Sequence, residues 1–242
     1  VEEHRMSLVE HLEELRRRLI SSLIMLGLVT FACFALAPTL FDFLRLPLES
    51  VTGQRLIALG PLELFMTYLK LSILAGIFIS APWILYQVWL FIAPGLYRNE
   101  KRWVWPFVGF GSFFFIAGGS FNFFVVLPYG LRYLVEITPT IVETQYSVSA
   151  YFSFVVQLSL AFGLVFELPL VMWILSAAGI ISPERYSRFR RYWVVLAFII
   201  GGVLTPPDPF SQFLMAVPLL LFFELGILGA RFLYHRPPAP QT

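Results

Sequence analysis

Four carboxylates stand where they could do chemistry. Glu100 lies among Arg98, Lys101 and Arg102, directly after an apolar, aromatic run that ends in Pro94-Gly95. An acid flanked by bases at such a boundary can dock a cationic ligand; the same pattern also suits a solvated loop. Glu14 lies in Glu13-Glu14-Leu15-Arg16-Arg17-Arg18. Helical spacing offers Glu13 to Arg17 and Glu14 to Arg18 as ordinary i, i+4 pairs. Glu167 and Glu224 fall inside apolar runs. A carboxylate at membrane depth is costly unless it faces protein or water, or is protonated. Glu167 is therefore either an intramembrane polar site or a buried hydrogen-bonding group, with Gln157 or Tyr86 as partner. Glu224 is nearer the end of its run and can snorkel or reach Arg231 across two turns. Asp208, in Thr205-Pro206-Pro207-Asp208-Pro209, is placed to cap the helix that follows.

Other chemistries find no residues. His4, His11 and His235 lie outside the apolar runs, and none is spaced with another as metal ligands are. No serine-nucleophile motif, intramembrane Asp pair or phosphate-binding loop occurs. The sequence points to no enzyme, no cofactor and no metal.

The elements that must position these acids are membrane spans. Of 242 residues 58% are hydrophobic and 13% charged, and mean hydropathy is +0.78. A soluble domain cannot hide that much apolar surface, so an all-α integral membrane protein is expected. The net charge of +2 lacks the dense basic patch of a nucleic-acid binder. The single Cys33 can form no internal disulfide. The first apolar run is too long for a signal-peptide core, so no cleavable leader is expected.

Six spans are predicted at about 19–37, 66–92, 103–131, 148–178, 192–204 and 210–232, within a single domain covering 1–242. Before them, 7–18 reads as an amphipathic surface helix. Ser7 and Glu10 have capping-box spacing, and Leu8, Leu12, Leu15 and Leu19 form one stripe. The long connection 39–66 still holds Leu40, Phe41, Phe43 and Leu44, and reads as a partly ordered cap with short helices. Pro82 should kink the second span. Gly109, Gly111, Gly118, Gly119 and Ser120 mark the third as a packing span. The fifth has about 13 residues, roughly 20 Å of helix against a hydrocarbon core of about 30 Å. The Pro-rich tail, 233–242, is expected to be disordered.

Basic residues set the orientation. Thirteen fall on one side: Arg5, Arg16 to Arg18, Arg98, Lys101, Arg102, Arg185, Arg188, Arg190, Arg191, Arg231 and Arg236. Four fall on the other: Arg45, Arg55, Lys70 and Arg132. Both termini are therefore expected in the cytoplasm.

Several motifs, in order, resemble the TatC family, the receptor subunits of the twin-arginine protein translocase. They are His11-Leu12-Glu13-Glu14-Leu15-Arg16 with Arg18-Leu19; Ser80-Ala81-Pro82 through Leu85-Tyr86-Gln87-Val88-Trp89 to Phe91-Ile92-Ala93-Pro94-Gly95-Leu96-Tyr97; Ala161-Phe162-Gly163 with Phe166-Glu167-Leu168-Pro169; and Leu204-Thr205-Pro206-Pro207-Asp208 with Phe210-Ser211-Gln212. Gly202-Val203 departs from the bulkier side chains the family more often has there. The resemblance implies six helices, the last two short, in a curved, glove-like arrangement. It implies a cytoplasmic face that binds the twin-arginine signal peptide of folded precursor proteins, with energy from the proton-motive force. By motif match Glu14 and Glu100 are the signal-peptide-binding carboxylates, and Pro47, Phe91 and Asp208 are further functional positions. Arg16 would help hold the acids in place. Implied partners are TatA- and TatB-like single-span proteins in the cytoplasmic membrane, with an oligomer including TatB. The short spans should thin the bilayer and present an edge to a single-span partner, with Thr205 and Gln212 near it. An alternative from a different class is an ion- or proton-coupled small-solute transporter that uses Glu167 and Glu224.

Overall fold

The computed structural model describes residues 8–92, 104–137, 145–204 and 209–234. Within them the chain is helical apart from short turns and one isolated bridge. The amphipathic segment and the first span form one helix, α1 (Leu8–Phe34). No proline and no capping residue separates them, so the helix runs on from one into the other.

The cap after it is ordered. α2 (Ala37–Leu44) and α3 (Leu46–Thr52) each carry proline in the first turn, where its missing N–H costs no helical hydrogen bond. Gly53, at φ +63°, takes the left-handed conformation that ends α3. Arg45 links the two helices through Asp42 (3.1 Å) and Glu49 (2.6 Å). Pro47 is buried in the first turn of α3.

α4 (Glu63–Ile92) crosses back and continues through Pro82. Its first residue ties the cap together. Glu63 accepts hydrogen bonds from Ser147 Oγ and the Ser149 amide at 2.6 Å, and from the Leu59 amide. Ile57 and Ser147 form a parallel bridge beside it. Tyr151 Oη donates to the Leu44 carbonyl at 2.8 Å. Tyr151→Phe keeps the ring packed and removes the hydroxyl's backbone bonds, so a loss of about 1 kcal/mol is expected in thermal unfolding. No loss would mean that the cap is held without it.

The next crossing is interrupted. α5 (Val104–Phe121) passes into a π-helical turn, Asn122–Val126, then α6 (Leu127–Glu136). The Leu127 amide reaches back five residues to the Asn122 carbonyl, and Pro128, which has no N–H, follows at once. Asn122 is fully buried and donates through Nδ2 to Ser159 Oγ at 2.9 Å. α7 (Val148–Phe166) and α8 (Leu168–Ala177) are separated by Glu167 alone. Pro169, in the first turn of α8, cannot donate to the preceding turn and so forces this break.

α7 is the centre of the bundle. Phe152, Val155, Leu158 and Phe162 are at most 1% exposed. Small residues let neighbouring helices approach closely: Gly118 of α5 lies against the Phe162 backbone of α7, and Gly76 of α4 against Thr30 of α1. Within the expected packing stripe, Gly118 meets α7 and Gly119 meets Phe78 of α4, while Gly109 faces open space. The outer surface is apolar, with Leu28, Phe31 and Phe232 largely exposed, as a lipid-facing surface requires.

α9 (Pro183–Leu204) starts earlier than the predicted fifth span. The basic stretch between the predicted fourth and fifth spans supplies its first turns from Pro183, a residue pre-organised for a helix start. Its apolar part is still short. α10 (Pro209–Leu233) has 25 residues and passes through Pro218. Among the described residues, five helical segments are long and apolar enough to cross a membrane: Val9–Phe34, Glu63–Phe91, Trp105–Glu136, Val148–Ala177 and Gln212–Leu233. α9 is the sixth crossing, and the chain is a multi-pass membrane protein.

Candidate functional site

At the end of the bundle where α1 begins, α1 and α4 are joined by a polar chain. Arg18 Nη2 bonds Glu14 Oε1 at 3.1 Å, and Arg18 Nη1 donates to Gln87 Oε1 at 3.3 Å. Gln87 Nε2 then donates to Ser21 Oγ at 3.1 Å. The order follows from spacing: Glu14, Arg18 and Ser21 are successive one-turn neighbours on α1, and Gln87 faces them from α4. The side chain of Glu14 is only 18% exposed, so its pairing is worth more than an exposed pair would be. Its second oxygen, Oε2, is buried and has no partner among the described residues. An under-satisfied carboxylate oxygen is a place where a further donor would be stabilising.

Phe91 belongs to the same end. The His11 ring stacks on it, with centroids 4.5 Å apart and planes 22° from parallel. Glu14 and Phe91, distant in sequence, thus lie on two helices joined at one end. Arg16 is exposed on the first turns of α1. Glu100 lies outside the described residues, in the segment between α4 and α5. Of the two expected ion pairs on α1, Glu14–Arg18 forms, and no pair joins Glu13 to Arg17 among the described residues. Neither the relay through Gln87 nor the His11–Phe91 stack was read from the sequence. The signal available was Gln87 itself, a polar residue inside an aromatic apolar run.

The other candidates are dispersed. Glu167 is 8% exposed at the α7–α8 break, and its Oε1 has no partner among the described residues, neither Gln157 nor Tyr86. Its Oε2 faces Gly111 of α5, where an added Cβ would meet that oxygen at 3.3 Å and Leu85 Cδ1 at 2.9 Å. Gly111 thus leaves the room that the carboxylate occupies. Glu224 is partnered by Arg190 of α9 at 2.6 Å, in place of Arg231. Arg190 reaches it because α9 begins at Pro183, which puts this arginine on a helix packed against α10. Gln212 turns inward: its Nε2 donates to the Phe198 carbonyl at 2.7 Å and lies close to Gly202. Pro47 sits in the cap at the opposite end from Glu14. Thr205 and Asp208 lie outside the described residues. No group of His, Cys, Asp and Glu among the described residues could hold a metal ion.

Fold and site together define a multi-pass helical membrane protein with a polar relay joining two helices at one end. A family model described as Sec-independent protein translocase protein (TatC) matches residues 10–218. The chain is similar to Sec-independent protein translocase protein TatC of Desulforapulum autotrophicum, at 40% identity, covering 95% of this chain and 86% of that protein. The TatC protein of Aquifex aeolicus is 43% identical over 92% of this chain and 93% of its own length, and that of Escherichia coli K12 40% over 93% and 88%. A crystal structure of the twin arginine translocase receptor TatC superposes with a TM-score of 0.84 at 40% identity, covering 93% of this chain and 99% of that one. The chain belongs to the TatC family of Sec-independent protein translocases. It is a component of protein transport and not an enzyme.

Proposed function

We propose that this protein is the receptor subunit of a twin-arginine translocase, with Glu14 and Glu100 as carboxylate acceptors for the paired arginines of a precursor's signal peptide. One observation carries the reading. Glu14 is held by Arg18 at one oxygen, keeps the other unpartnered, and stands on a helix joined to α4, which leads into the segment bearing Glu100. A guanidinium needs planar, two-point acceptors, which carboxylates provide. Phe91 supplies apolar surface beside them, and Arg16 repels basic peptides that cannot meet the geometry.

This face is cytoplasmic and both termini lie there, in the cytoplasmic membrane, as thirteen of the 17 Lys and Arg residues falling on that side supports. TatA- and TatB-like single-span partners pack at the α9–α10 edge near Thr205 and Gln212, in an assembly that includes the TatB-like subunit. Pro47 and Asp208 serve the end of the bundle away from the signal-peptide site. Glu167 acts as a polar side chain at depth. The solute-transporter reading loses Glu224, which is occupied by Arg190.

The test is a photo-crosslinker placed at position 100 and presented with an Arg-Arg precursor. Adducts to the region around the paired arginines are expected from position 100 and not from position 55, at the opposite end. Equal yields from both positions would sink the assignment.

A further inference from the structure

We propose that the first turns of α9 form a binding surface for an anionic phospholipid. Pro183, Tyr186, Trp193, Ala197 and Gly201 are the buried residues of this helix and define one face of it. That face is fixed: Trp193 Nε1 donates to the Leu219 carbonyl at 3.2 Å, and its ring stacks on Phe223. At 100° per residue, Arg185, Arg188, Arg191 and Tyr192 then fall on the opposite face. All four are exposed.

Arginines outnumber acids three to one on this face, where Glu184 is the one carboxylate among the described residues. Arg190, nearer the buried side, is neutralised by Glu224. None of Arg185, Arg188 and Arg191 meets a carboxylate among the described residues. The Arg191 guanidinium lies 4.8 Å from the Tyr192 ring centroid, which orients it while leaving its donors available. Phe189 and Tyr192 add aromatic surface at 44% and 54% exposure, as residues at the headgroup level do.

The apolar half of the occupant is also provided for. Immediately after Tyr192, the exposed Val195, Ile199 and Val203 continue the same face along α9 toward the bilayer interior. Three unpaired arginines above an apolar strip complement a negative headgroup with its acyl chain, and not a soluble anion or an acidic peptide. Juxtamembrane arginine clusters attract anionic lipid by about 1 kcal/mol per residue. A lipid held there would anchor the end of the one crossing whose apolar part is too short for the bilayer. The partner contacts at Thr205 and Gln212 lie at the other end of α9.

The experiment is native mass spectrometry of the intact protein in detergent, titrated with dioleoylphosphatidylglycerol or dioleoylphosphatidylcholine. Retention is expected to favour the glycerol lipid by about 100-fold, and R185Q/R188Q/R191Q should abolish the preference. E224Q should raise it, by about fivefold, because Arg190 is released to the surface. R55Q, at the opposite end, should change nothing. Inorganic phosphate should fail to displace the lipid. The proposal is overturned if the triple variant keeps the parent's preference or if the two lipids are retained alike. It is overturned equally if inorganic phosphate or an acidic peptide takes the same arginines in place of lipid.

Discussion

Glu100→Arg is expected to reduce binding of an Arg-Arg signal peptide more than any other single change. Glu14→Gln and Glu100→Gln should each weaken binding by tens of fold. A hydrogen bond to a charged group contributes about 1.5–3 kcal/mol net, which is about ten- to 150-fold in affinity. Glutamine keeps the shape and one acceptor but loses the charge. Arginine at 100 adds repulsion to that loss. Glu14→Gln leaves an amide oxygen for Arg18 and Arg18 still bonded to Gln87, so the α1–α4 junction should hold and the melting temperature should move little. Added salt should weaken binding by the parent, and less steeply by each Gln variant, which keeps one of the two carboxylates. Fluorescence titration in nanodiscs reads all of this. Unchanged affinity in both Gln variants would place the signal-peptide site elsewhere on this face.

The largest effect on stability is expected at Gly118. A Cβ there would clash with the Phe162 carbonyl oxygen and lie 2.8 Å from its carbon. Both are backbone atoms of α7, at the centre of the bundle, and neither can rotate away. Overpacking a core usually costs 1–3 kcal/mol when side chains can adjust. Here α5 must move off α7, so Gly118→Ala should cost about 3 kcal/mol or more. Gly109→Ala meets nothing and serves as the comparison. Thermal unfolding in detergent separates them. Equal melting temperatures would mean that α5 and α7 are not held at this distance.

Much of this was legible in the sequence because hydropathy is a one-dimensional signal. Six apolar runs, the basic asymmetry and the aromatic belt around Trp83 to Tyr97 each follow from composition along the chain. What pairs with what was less legible. Glu224 offered Arg231 on its own helix, but its partner is Arg190 on α9, and nothing in either run specifies that packing. The basic stretch before 192 read as a loop because its charges hide the helical pattern; Pro183 at the first position was the available signal. Gln212 was expected near a single-span partner, and nothing in its run specifies that its amide also closes on the Phe198 carbonyl beside two small residues, Gly201 and Gly202. Glu14 was identified by motif, yet its environment depends on Gln87, 73 positions away in sequence.

The receptor reading rests on a preference for arginine's fork over a point charge. Its most direct test is the affinity of the parent protein for two peptides that differ only in Arg-Arg against Lys-Lys. Binding to the Arg-Arg peptide should be at least about tenfold tighter, the difference made by one lost two-point contact. Equal affinity for the two would contradict the account, since a surface that merely attracts positive charge has no use for the geometry built around Glu14.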